Sequence, residues 1–178
     1  MSSNIFVLLY YKFTPIKNAK FEAKQHKLVC KGIGLNGRII ISEEGINGTV
    51  AGNRAQLKEY TDYMDNHPDF RGIVFKRSVA PKMPFHKMIV KYRPEIVTLG
   101  KKVDLKKTGK YLKPEQMHEL FEKGEDMVVV DMRNNYEWEV GRFDGAIQPD
   151  TVRFFELPEK VKNLKIDKNK KEIGRAHV

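Results

Sequence analysis

The sequence predicts an α+β ferredoxin-like domain over residues 1–100, followed by a second, α/β lobe, and three features carry that prediction. β-rich and helix-periodic segments alternate in the order β-α-β-β-α-β through the first domain, the plan of a sheet with both helices on one face. A lysine-rich stretch, KKVDLKKTGK at 101–110, then lacks apolar periodicity and reads as a linker. Beyond it, MVVV at 127–130 is a continuous apolar run, as expected of a strand buried on both faces of a parallel sheet. The 178 residues, 40% hydrophobic and 31% charged, suit two small globular lobes, each with a thin core.

The longest apolar run, IFVLLYY at 5–11, is too short to cross a bilayer and lacks the flanks of a secretory signal, so it reads as a buried strand. Pro15 follows it. A helix is expected over 18–31, capped by Asn18 and closed by Gly32 and Gly34. In GRIIISEEGINGTVAG, residues 37–52, a β-rich segment at 38–42, the turn dipeptide Asn47-Gly48 and the extended Thr49-Val50-Ala51 predict a hairpin. Asn53 caps a second helix in which Leu57, Tyr60 and Met64 recur at helical spacing, and residues 73–78 and 87–93 are strand-like again. In the second lobe, Pro114 opens a helix expected to turn Met117, Leu120 and Phe121 inward. Asp131 falls at the carboxyl end of the 127–130 strand, where α/β sheets place functional groups. Asn134 caps a short helix ended by Gly141, Gly145 permits a tight turn, Ala146-Ile147 forms a short strand, and 154–164 reads as a helix interrupted near Pro158.

Charge is concentrated in the middle of the chain. Residues 71–113 hold 13 Lys/Arg against 2 Asp/Glu, a surplus of +11, while 1–70 and 114–178 carry +2 and −3. A block of this kind suits a polyanion, because each phosphate neutralised by a cation releases condensed counterions. If 87–93 is a strand, Lys87, Ile89, Lys91 and Arg93 share one face, and Met88, Val90 and Tyr92 pack on the other. With Lys82, Phe85 and His86 before it and Lys101 and Lys102 after it, the segment forms a candidate groove for an RNA backbone with a stacking residue at its edge. The competing reading is an edge strand guarded by lysine against aggregation.

Other chemistries find little support. Glu43 and Glu44 are neighbours in an extended segment and face opposite ways, which fits a hairpin end better than an acid/base pair. Gly45, Gly48 and Gly52 have neither P-loop nor dinucleotide-fold spacing. His26, His67, His86, His118 and His177 show no zinc-ligand spacing, so no metal is expected. Cys30, the single cysteine, cannot form an internal disulfide and sits in an amphipathic helix, where a buried, inert thiol is expected. A cytoplasmic protein without a membrane segment is the corresponding expectation.

GRIIISEEGINGTVAG, PFHKMIVKYRPEIVTLG, YLKPEQMHELF and VVVDMRNNYEWEVGRFDGAIQPDTVRFFELPE, taken in order, resemble the bacterial tRNA uridine hydroxylase family, whose members carry a rhodanese domain. The resemblance implies an acylphosphatase-like version of the ferredoxin-like first domain over 1–100, a linker over 101–112 and a partial rhodanese domain over 113–171. It implies tRNA as partner and oxygen-dependent conversion of the wobble uridine to 5-hydroxyuridine, with molecular oxygen as co-substrate and no other cofactor. Asp131 and Arg133 match the family's Asp-x-Arg and would shape the pocket around a cysteine loop that follows the next parallel strand. That cysteine loop does not follow Lys171 here. The residues EIGRAHV at 172–178 read as a translation of a common sequencing-adapter oligonucleotide, so a non-native tail and a truncated, inactive chain are expected. Val128, Val129 and Val130 would then lack a neighbouring strand. The alternative is a non-catalytic RNA-binding protein with a degenerate rhodanese half.

Overall fold

Alternation along β1 (Ile5–Phe13) sends Leu8 and Tyr10 into the core and leaves Val7, Leu9 and Tyr11 on the opposite side of the sheet. The structure, a computed structural model, describes residues 4–101 and 109–176. The chain divides after Val97 into two units, where the onset of the lysine-rich stretch suggested a boundary at Gly100.

In the first unit α1 (Ala19–Ile33) follows β1, then come β2 (Asn36–Ser42), β3 (Gly45–Gly52), α2 (Arg54–Asn66), β4 (Lys76–Ala80) and β5 (Met88–Tyr92). The sheet order is β4-β1-β3-β2-β5. The first four strands are antiparallel neighbours in the ferredoxin-like order, as expected. β5 departs from that antiparallel pattern and adds to the edge of β2 in parallel, the chain crossing from β4 past β1 and β3 to reach it. β4 also begins later than expected, and Ile73 is buried in the loop before it. Both helices lie on one face, α1 over β2 and β5, α2 over β1 and β3. Their Ala23, Cys30, Leu57, Tyr60 and Met64 close on Leu8, Tyr10, Ile39, Ile41, Ile46 and Val50.

The β2–β3 hairpin turns at Glu43-Glu44, and the turn dipeptide Asn47-Gly48 lies inside β3. The reason is packing. Gly48 sits beneath Tyr10, where a Cβ would run into the phenol ring, and Gly45 lies against the Lys12 carbonyl with φ 149°. Both glycines serve close approach between strands. Asn53 and Gln56 form the reciprocal cap that opens α2, whereas Asn18 starts α1 without a side-chain cap bond. Gly34, at φ 81°, closes α1 in the left-handed conformation.

The second unit holds α3 (Pro114–Glu122), β6 (Met127–Asp131), α4 (Asn135–Val140), a 3₁₀ turn at Phe154–Glu156 running into α5 (Leu157–Lys162), and β7 (Lys171–Arg175). Two expectations need correction. Phe121 is 40% exposed and rests on Phe143, so only Met117 of α3 is fully inward. β6 does have neighbours: β7 pairs with it in parallel from Met127↔Lys171 to Asp131↔Arg175, and Ile147 bridges it at Val130. A parallel ladder is made by backbone groups, so residues 171–175 can complete it whatever their origin.

Candidate functional site

The face of the first sheet turned away from the helices carries some of the cations that the sequence singled out. Met88 and Val90 are buried against the helices, so Lys87, Ile89, Lys91 and Arg93 project the other way. Cross-strand register extends this row. Lys91 lies opposite Ile40, which lies opposite Asn47, which lies opposite Tyr11. One step along, Ile89 neighbours Arg38, Arg38 neighbours Thr49, Thr49 neighbours Leu9, and Leu9 neighbours Lys76 on the far edge. Lys76, Arg38, Lys91 and Arg93 are all exposed. Lys82 is exposed in the β4–β5 connection. Lys101 belongs to the second unit, where its ammonium meets Glu159 at 2.8 Å, and Lys102 lies outside the described residues.

Part of this face is strapped by the segment after β5. The Asn47 side-chain amide donates to the Ile96 carbonyl at 3.2 Å, and the Ile96 amide donates to Glu44 at 2.7 Å. Glu44 and its neighbour Glu43, which accepts from the Tyr92 hydroxyl at 3.1 Å, therefore act as anchors at the hairpin end. Tyr11 and Phe13, beside the strap, remain 50% and 38% exposed. Sequence reasoning missed these two because the run 5–11 is apolar on both faces, and nothing in it distinguishes the side that the helices cover.

In the second unit Asp131 ends β6 and is fully buried. Its carboxylate accepts from Arg133 Nε at 2.8 Å and Nη2 at 2.7 Å, and from Arg175 Nη1 at 3.5 Å. Arg133 Nη2 also donates to the Gly141 carbonyl at 2.7 Å. Burial alone would raise the Asp131 carboxyl, but the Arg133 guanidinium and amide outweigh it and hold it below its ordinary value. A carboxylate committed to that many donors is a poor base and a good clamp, fixing Arg133 at the strand end.

Cys30 is fully buried, and its burial pushes the thiol up to about 12, the setting of an enclosed, protonated thiol. A second feature invisible in the spacing is a buried polar chain. Tyr10 bonds to Tyr60, Tyr60 to His26 Nε2 at 2.8 Å, and Glu22 stands 3.7 Å from His26 and 3.4 Å from His67.

A four-stranded ferredoxin-like core with both helices on one face and an extra parallel strand defines an acylphosphatase-like domain. The family model described as the UPF0176 acylphosphatase like domain matches residues 5–96, and the chain belongs to that family. It is 46% identical over 173 residues to a tRNA uridine(34) hydroxylase of Streptococcus suis (strain 05ZYH33), covering 93% of this chain and 53% of the relative. A protein of the same name from Bacillus mycoides (strain KBAB4) is 46% identical over 162 residues, 89% of this chain and 50% of the relative. The chain thus spans about half the length of the curated relatives it matches. Among solved structures, BlrB, a BLUF protein in its dark state, aligns with a TM-score of 0.45 at 15% identity, over 56% of this chain and 80% of that one, a likeness too distant to bear on function. No helix among the described residues is long and apolar enough to cross a membrane.

Proposed function

We propose that this chain carries part of a tRNA hydroxylase that forms 5-hydroxyuridine at the wobble position with molecular oxygen as co-substrate, and that its first unit holds the tRNA. The single observation that carries this reading is the run of exposed cations Lys87, Lys91 and Arg93 along β5 and its two ends, in a chain 46% identical to proteins named for that activity. Phosphates are the groups such a run recognises, with Lys82 extending it. Lys101 and Lys102 are further phosphate candidates from the sequence. The second unit is read as part of a rhodanese-type α/β domain, in which Asp131 clamps Arg133 at the strand end so that the guanidinium shapes a pocket for a reactive group supplied from outside these 178 residues.

The test joins residues 1–171 to the remainder of the Streptococcus suis relative and expresses the chimera in cells lacking their own hydroxylase. Mass spectrometry of digested tRNA should show 5-hydroxyuridine, and replacing Lys87, Lys91 and Arg93 by alanine in the chimera should abolish it. A folded chimera that leaves uridine unmodified, while the intact relative modifies it, would favour an RNA-binding protein without catalytic function.

A further inference from the structure

We infer that the part of the first unit's sheet face left open beside the Ile96 strap is a stacking platform for unpaired RNA bases, with Tyr11 as the ring on which a base lies, Phe13 beside it, and the cations Arg38, Lys76 and Lys91 farther along the same face. This deepens the proposed function and rests on its RNA-binding reading, but it names a different contact. A row of phosphates can be held by lysines alone and needs no aromatic ring.

Three observations point to bases. First, Tyr11 is half exposed and Phe13 more than a third exposed on the part of β1 that runs past the end of β4 and pairs with β3 alone, and their rings meet edge to face at 6.4 Å. A large ring left open on a regular strand is costly to keep in water and serves where a flat partner covers it. Second, register sets cations across the same face: Lys91 ends the Tyr11 row, beyond Asn47 and Ile40, and Arg38 and Lys76 end the next row, on either side of Leu9 and Thr49. A strand of RNA crossing the sheet would place its backbone over these cations and its bases over the rings, which is how single strands are gripped without duplex geometry. Third, the Ile96 strap covers one part of the face and is pinned at both backbone groups by Asn47 and Glu44, so the remaining open area has a fixed border beside Tyr11. Within the first unit, residues 71–97 hold 7 Lys/Arg against 1 Asp/Glu, and that surplus commits the occupant to a polyanion rather than to an apolar protein segment.

The test measures binding of the full chain to an oligouridylate of roughly ten nucleotides and to an abasic ribose-phosphate of equal length. Oligouridylate should bind about tenfold or more tighter than the abasic strand. Tyr11→Ala should remove most of that difference and leave abasic binding unchanged, Tyr11→Trp should retain or increase it, and Lys91→Ala should weaken both ligands alike. Tyr11 is exposed, so the variants should melt with the parent, and a thermal scan checks this. Equal affinity for the two strands, or a Tyr11→Ala variant that keeps the preference, overturns the stacking platform while leaving phosphate recognition intact. Failure to bind either strand, together with failure to bind tRNA, overturns both readings.

Discussion

The Nε2 of His26 stands 2.8 Å from the Tyr60 hydroxyl, which is itself bonded to the hydroxyl of Tyr10, so that α1, α2 and β1 are tied by one buried polar chain. Tyr60→Phe deletes the middle member and leaves two buried polar groups facing a ring. The expected loss is about 1–3 kcal/mol of stability in the first unit, because an unsatisfied buried group carries its full desolvation cost. Chemical denaturation monitored by circular dichroism measures it, and an unchanged midpoint would show that the chain is not structural.

The same cluster makes the first unit acid-sensitive. Burial holds the His26 imidazole below its ordinary value, with Glu22 opposing and His67 adding to the shift. Glu22 is lowered chiefly by its contact with His26, burial opposing and His67 adding. A group whose folded pKa is depressed stabilises the fold above its unfolded pKa and loses that contribution as pH falls. Stability should therefore decline as pH drops below about 6.5 through His26, and again below about 4.5 through Glu22. Tyr60, Tyr63 and Cys30 also face this cluster but stay neutral, their burial raising them. His26→Gln should flatten the upper part of the decline, and a stability that rises on acidification would contradict the assignment.

Two glycines should respond in opposite directions to the same change. Gly45→Ala drives a methyl into the Lys12 carbonyl at a left-handed φ of 149°, which is expected to cost on the order of 2 kcal/mol or more. Gly32, within α1, has nothing within 4 Å of its Cβ position, and Gly32→Ala should stabilise by about 0.5–1 kcal/mol. Melting temperatures of the two variants decide it.

How far this could be read from the sequence depended on whether the signal was local. The strand and helix order, the Asn53 cap and the inward Met88 and Val90 follow from periodicity, because each is settled within a few residues. The place of β5 was not legible, since pairing in parallel with β2 is a choice among free edges that no local pattern records. The hairpin turn was misplaced because a glycine needed for close packing under Tyr10 looks the same in sequence as one needed for a turn. Of the candidate site, alternation along β5 was enough to set exposed Lys91 opposite buried Met88 and Val90, whereas the placement of Lys101 in the second unit was not legible. Nor was Tyr11, because β1 is apolar on both sides, and the meeting of Glu22 with His26 and His67 required the fold.

β7 completes the small sheet of the second unit, and its removal should be felt there alone. The Met132 amide donates to the Arg175 carbonyl at 2.7 Å, and alternation turns the amides of Val128 and Val130 to the same side. Deleting residues 172–178 should speed hydrogen exchange at Val128, Val130 and Met132 while leaving residues 5–92 protected. Unaltered exchange at those three amides would show that β6 does not depend on this partner.

The central claim is that the open face of the first unit recognises tRNA through its phosphates, and the most direct measurement is the salt dependence of tRNA affinity. The logarithm of the association constant should fall linearly with the logarithm of salt concentration, and replacing Lys87, Lys91 and Arg93 together by alanine should reduce the slope by roughly two to three. An affinity independent of salt, or a slope that the triple variant leaves unchanged, would contradict it.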